Sequence, residues 1–316
     1  MRNLQRIRKE LLFLTLLTIL VLIVNFLCYY FSIRFDFTYL QVGLLFTIGL
    51  FHGVNDLYLN IKEQSVFVDS IKFRLARYLV LAGIGFVLFY MFPLLGLSLF
   101  IIFSGYHFGE QHFYCDTKGF YLTAYAFRFT YGMAIIGALL FFHQQEVLAI
   151  IHRFLQVSKT NNILTLKLLF IVPTILQSIY LFRLVVLNRL KLRDWLLFQV
   201  ALLTLIVFFN NTSLLSSFCF YFIFWHSISS LRLQVLNDFE TLNKTNSLLF
   251  LKRGFPVYII SILVLIPAFI SMEAKSWMAH IYMSLVAAIV IPHIITISKM
   301  IGSHLNPIQP KNYFSK

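Results

Sequence analysis

Charge is what this chain lacks most. Only 12% of its 316 residues are Asp, Glu, Lys or Arg, about half the share in a soluble domain, which is roughly 25%. That excludes an ordinary water-soluble fold. Cysteine is also scarce: Cys28, Cys115 and Cys219 show no CxxC spacing, so neither a disulfide framework nor a zinc knuckle is expected, and each reads as small apolar filler. There is no phosphate-binding glycine loop, no nucleophile beside a base and no internal repeat. Acidic residues number only 12 against 26 basic ones, a net charge of +14. A nucleic-acid partner does not follow, because Lys and Arg lie in short stretches between apolar blocks, the pattern of a positive-inside membrane protein.

What is abundant is apolar sequence: 59% of residues are hydrophobic and the mean hydropathy is +0.82. The blocks are long enough to cross a bilayer, about 20 residues each. The expected architecture is all-α, a polytopic transmembrane bundle of about ten spans forming one integral membrane domain over residues 1–316. Leu11 to Phe31 follows Arg2, Arg6, Arg8 and Lys9 and is too long for a signal-peptide core, so it is expected to be a retained first span. The others are expected near 39–57, 77–93, 95–112, 121–142, 163–187, 195–209, 214–232, 254–272 and 277–299. Residues 143–159 read as an amphipathic connector, and a polar loop of some twenty residues is expected before the ninth span. With alternating spans, 19 Lys and Arg fall on the side of the N-terminus, 4 on the other and 3 within spans. That asymmetry predicts both termini in the cytoplasm and a multi-pass protein of the cell inner (cytoplasmic) membrane.

The chain is organised around Ser104-Gly105-Tyr106-His107-Phe108-Gly109-Glu110-Gln111-His112, where two histidines and a carboxylate follow an apolar run from Pro93 to Phe103. Three other spans each deliver a histidine: His52 in Phe51-His52-Gly53-Val54-Asn55-Asp56, His226 in Phe224-Trp225-His226-Ser227, and His293 in Ile291-Pro292-His293. Ionisable side chains inside a membrane face the protein interior and mark function more often than not. All four lie on even-numbered spans, about 12–16 residues from the outer end. At 1.5 Å per residue that is about 18–24 Å below the outer face, so they are expected to form one ring. Imidazole suits iron, copper and zinc, and four neutral imidazoles leave positions open on an octahedral Fe(II). Singly, each histidine is as ordinary a partner for a backbone carbonyl of a neighbouring helix. Asp56, four residues after His52, is expected to orient that imidazole from behind or to be a solvated helix end; Glu110, three after His107, has the same two readings. Gly53 and Gly109 fit close helix approach. Tyr106 and Trp225 are candidates for shaping a substrate cavity, and equally ordinary as packing aromatics. His112, His143, His152, His280 and His304 read as peripheral, with His112 nearest the ring.

These motifs, in this order, resemble the bacterial Brp/Blh β-carotene 15,15'-dioxygenases. His52-Gly53-Val54-Asn55-Asp56 is similar to that family's HGxxD, Tyr106-His107-Phe108-Gly109 to its YHFG, Trp225-His226-Ser227 to its WHS, and Pro292-His293 to its C-terminal PH. The resemblance implies a membrane enzyme that cleaves β-carotene at its central double bond with dioxygen into two retinal molecules. It implies Fe(II) held by His52, His107 and His226, the lipid bilayer as the setting, and a microbial rhodopsin as retinal acceptor. One position departs: where the family commonly has a second histidine four residues after the first, this chain has Ser230. A hydroxyl is a poor iron ligand, so the fourth position falls to His293 or His112, and His293, at ring depth on its own span, is preferred. The competing readings are a non-catalytic carotenoid- or retinal-binding relative, a bis-histidine haem protein, and a transporter using Asp56 and Glu110 as a relay.

Overall fold

The computed structural model describes residues 2–33, 35–59, 71–113, 121–155, 163–272 and 276–305. Lys62, Cys115 and the side chain of His304 lie outside the described residues. No strand occurs among those described. Eleven helices do: α1 Arg2–Tyr30, α2 Thr38–Val54, α3 Ile71–Met91, α4 Pro93–His112, α5 Tyr121–Phe142, α6 Gln144–Leu155, α7 Ile163–Val186, α8 Leu192–Asn210, α9 Leu214–Phe239, α10 Lys244–Met272 and α11 Ser276–Leu305. Helix is what the sequence demands, because a lipid-exposed backbone must satisfy its own hydrogen bonds. Eight helices are long and apolar enough to cross a membrane. The other two expected spans are α2, shorter and apolar, and the 20-residue α4, which carries the polar histidine stretch in its last turns. The amphipathic connector is α6.

Local chemistry sets the ends. Pro93 opens α4 at a position where its missing N–H costs nothing. Ser213 caps α9 by accepting from the Ser216 N–H. The polar loop expected before the ninth span is not a twenty-residue loop. α9 continues to Phe239, Glu240 takes a left-handed conformation (φ 61°), and Asn243 Oδ1 accepts the Asn246 N–H at 2.8 Å to start α10. Polar residues at a membrane border extend a helix as readily as they end one, so polarity alone misplaced this boundary.

α5 is the most deeply buried helix, packed between α4 and α7. Glycines make both crossings possible. A Cβ on Gly109 would sit 1.6 Å from the Arg128 carbonyl oxygen, one on Gly132 1.8 Å from that of Gly105, and one on Gly137 2.3 Å from that of Leu169. Without a hydrophobic drive between helices in lipid, such backbone approach is what holds neighbours together. Gly109→Ala is therefore expected to destabilise the protein by about 3 kcal/mol or more, the upper end for overpacking, and to pull the α4 histidine stretch out of place. Thermal unfolding in detergent checks this; an unchanged midpoint would mean the α4–α5 contact is not needed. Outward faces of α1, α3, α7 and α10 are apolar and exposed, as lipid contact requires.

α1 is tied in at two depths. The Trp225 indole N–H donates to Thr18 Oγ1 at 3.1 Å, and Arg8 forms a two-pronged salt bridge with buried Asp194 on α8.

Candidate metal centre

Two of the four key histidines stand at interruptions of regular helix. In α2, Leu45–Gly49 is a π-helical turn just before His52; in α9, Tyr221–Ser227 is another and contains His226. A π turn carries one extra residue, so the helix beyond it is rotated by about 100° relative to an unbroken one. The two turns pack against each other, where a Cβ on Gly49 would lie 3.1 Å from the Phe222 ring. His293 comes directly after Pro292 in α11, where the ring leaves one helical hydrogen bond unmade. His107 sits in regular helix.

These four elements deliver four imidazoles to one place. His52 lies 4.7 Å from His293 and 5.0 Å from His226 between ring centroids. His107 lies 5.0 Å from His226 and 5.3 Å from His293. His226 and His293 are 6.5 Å apart. Each imidazole thus adjoins two others in a closed ring, every neighbouring pair set nearly edge to face. All four side chains are buried.

Proton positions are fixed by the partners. The His52 Nδ1 faces the Gly49 carbonyl, which can only accept, so Nδ1 carries the hydrogen and Nε2 keeps its lone pair. The Ser227 hydroxyl lies 3.4 Å from the same nitrogen. His293 Nδ1 donates to Asp56, 2.9 and 3.1 Å from the two carboxylate oxygens. Its Nε2 is buried with no hydrogen-bond partner, as are His226 Nδ1 and both ring nitrogens of His107. Buried polar nitrogens without partners are costly; a metal ion is the ligand whose binding would remove that cost for several imidazoles together. Potential ligand nitrogens of His52, His226 and His293 all lie within 4.8 Å of one another. This buried group could hold a metal ion, and the donor set fits iron, copper or zinc.

Several expected partners differ. Asp56 supports His293 on α11, not His52: the helix ends at Val54, between the two residues of the motif. Glu110 makes no hydrogen bond to the His107 ring. It accepts from Tyr106 Oη at 3.2 Å and from Ser298 Oγ at 2.5 Å, linking α4 to α11 near the Arg128 charge. His112 turns away to Tyr221, its Nε2 3.2 Å from the phenol oxygen, as expected for a residue five positions past His107 on one helix. Ser230 is buried and accepts from Gln234 Nε2 at 3.1 Å. A Cβ on Gly53 would meet the His293 ring at ordinary contact distance, 3.6 Å from Nδ1. Trp225 is fully enclosed in the core, whereas Tyr106 is partly exposed and stacks on Tyr125. Of the peripheral histidines, His143 is buried between the carbonyls of Leu139 and Thr212, and His280 contacts the Tyr90 carbonyl.

Two residues escaped the sequence reading. Gln111 Nε2 donates to the His226 carbonyl at 2.7 Å and Gln234 Nε2 to the His52 carbonyl at 2.8 Å. Each amide clamps the backbone of a histidine from a different helix. The signal was weak, because Gln111 stands in the polar stretch that ends the expected fourth span and Gln234 lies just past the expected eighth.

Fold and site together define a multi-pass helical membrane protein with a buried histidine cluster able to hold a metal. The chain belongs to the β-carotene 15,15'-dioxygenase family, whose model matches residues 42–301. That match contains all four histidines and Asp56. No curated protein and no solved structure matches the chain.

Proposed function

We propose that the protein is a membrane-embedded dioxygenase that cleaves β-carotene at its central double bond, using dioxygen and an Fe(II) held by His52, His107, His226 and His293. The carrying observation is that four buried imidazoles, three of them with ring nitrogens lacking any partner, meet at the motif positions of a chain that belongs to this family. One dioxygen supplies one oxygen atom to each carbon of the broken double bond, giving two molecules of retinal with no other co-substrate. Iron, when bound, supplies the binding and activation of dioxygen.

The protein's own part is orientation. The Gly49 carbonyl and Asp56 hold His52 and His293 in the tautomer that leaves Nε2 free, as supporting shells do in metal sites. Gln111 and Gln234 hold the backbone of His226 and His52. Asp56 and Glu110 serve as supporting residues, and Ser230 contributes a hydroxyl bonded to Gln234. Tyr106, partly exposed, is our candidate for contact with the polyene, and Trp225 supports it from the core. A hydrocarbon substrate dissolved in the bilayer reaches an intramembrane site without extraction into water. We place the protein in the cell inner membrane as a single domain with both termini in the cytoplasm, and a microbial rhodopsin as acceptor of the retinal.

A haem reading is disfavoured by geometry: a porphyrin between His226 and His293 would occupy the space filled by His52 and His107. The non-catalytic reading rests on Ser230. Expression in a β-carotene-producing bacterium separates it from the proposed activity. Loss of colour with retinal in the extract is expected; persistent colour with the protein folded in the membrane would establish the non-catalytic relative.

A further inference from the structure

Away from the histidine ring, a cleft of about 460 Å³ lies between the start of α1 and the middle of α9. One wall is polar: Arg6, Lys9 and Arg232 line it, together with Gln5, Glu10 and Ser229. The other is apolar, formed by Phe13, Leu14, Phe224 and Ile228. Its α1 residues precede the part of the chain matched by the family, which begins at residue 42.

Arg6 is the unusual member. Its Nε and Nη2 are buried and have no hydrogen-bond partner. A guanidinium withdrawn from water without an acceptor is unfavourable. Glu10 is the one carboxylate lining the cleft, and neither nitrogen bonds to it. By contrast Arg8, two residues on, is fully engaged with Asp194. The cleft therefore holds an excess of two positive charges, from Arg6, Lys9 and Arg232 against Glu10, and Arg6 has two buried donors without an acceptor.

Its position identifies the missing acceptor. Leu11 begins the apolar run of α1, so Arg6 and Lys9 mark the level where that helix leaves the hydrocarbon. Arg232 marks the same level on α9, just past Leu231. The exposed ring of Phe13 (64%) and the exposed Ile228 (41%) continue from this polar pocket along the lipid-facing surface. We propose that the cleft binds an anionic phospholipid, its phosphate diester accepting from the Arg6 guanidinium and its acyl chain lying along Phe13, Phe224 and Ile228. Two non-bridging phosphate oxygens match the forked donors of arginine. Lys9 and Arg232, both exposed, add the attraction that basic pockets between membrane helices exert on acidic headgroups. A lipid seated there bridges α1 to the helix that carries His226.

The test uses the full-length protein, delipidated in a neutral detergent and returned to mixed micelles. Phosphatidylglycerol, phosphatidylcholine and inorganic phosphate are offered separately, and retained phospholipid is measured by mass spectrometry. Phosphatidylglycerol is expected to be retained roughly tenfold better than phosphatidylcholine, and millimolar phosphate is expected not to displace it. The double variant Arg6→Gln/Arg232→Gln is expected to lose that preference, at about fivefold per cationic contact. If the double variant does not fold, Lys9→Gln, altering an exposed side chain, is expected to weaken retention by about the same factor per charge. Equal retention of the two lipids, or undiminished preference in the folded variants, would overturn the proposal. Displacement by phosphate would overturn the lipid in favour of a free anion.

Discussion

His107→Ala is expected to abolish retinal formation and strip the protein of iron while leaving it folded in the membrane. The reason is that His107 makes no hydrogen bond through either ring nitrogen. Removing it deletes two buried polar atoms that nothing in the protein satisfies, so the cost to folding is confined to lost packing, about 1–3 kcal/mol. A metal ligand behaves differently. Even residues that merely support ligands change affinity or activity by 10–100-fold, so loss of a ligand is expected to exceed roughly 100-fold. His52→Ala and His226→Ala are expected to match it in activity. His52→Ala, which also gives up the bond to Gly49, should cost somewhat more stability. The measurement is paired: metal content and retinal yield on one hand, thermal unfolding on the other. Near-normal turnover in any of the three would remove that residue from the ligand set. Parallel loss of stability and activity in His107→Ala would make it a packing residue.

The second large effect concerns the fourth ligand. His293→Ala is expected to be as damaging as His107→Ala. Its ring closes the cluster between His52 and His107, and its Nδ1–H is directed by Asp56 so that Nε2 is left with its lone pair. Asp56→Asn should preserve a hydrogen bond but not the charge behind the imidazole, and is expected to weaken iron binding by about tenfold. His112→Ala is expected to be mild, because that imidazole faces Tyr221. Ser230→His tests the alternative. Ser230 is 1% exposed, so a histidine there must displace its neighbours, and a loss of about 1–3 kcal/mol is expected. If instead Ser230→His tightened iron binding while His293→Ala did little, the site would be a three-histidine one completed by water.

Length along the chain was legible in the residues; rotation about each helix was not. Ten apolar blocks, the amphipathic connector and the four histidines could be read from composition and spacing, because a bilayer imposes one length scale and penalises every ionisable group within it. The equal depth of the histidines came from counting residues along helices of fixed rise. Rotation could not be counted. Asp56 stands one helical turn after His52, and spacing alone joins them, yet the helix ends at Val54 and the carboxylate crosses to His293. Glu110 shows the same failure, since it bonds Tyr106 and Ser298 and leaves its spacing partner His107 bare. π turns carry no compositional mark, and both redirect an imidazole.

The sequence by itself determined the membrane setting, the helical class and which side chains are too expensive to be idle there, since those depend on residue type and distance along the chain. Only the tertiary structure decided which histidine each carboxylate supports, which amides clamp the backbone, and that Arg6 is left without an acceptor. Those depend on the azimuth of each helix and on glycine-limited approach between backbones, and both are set by neighbours distant in sequence.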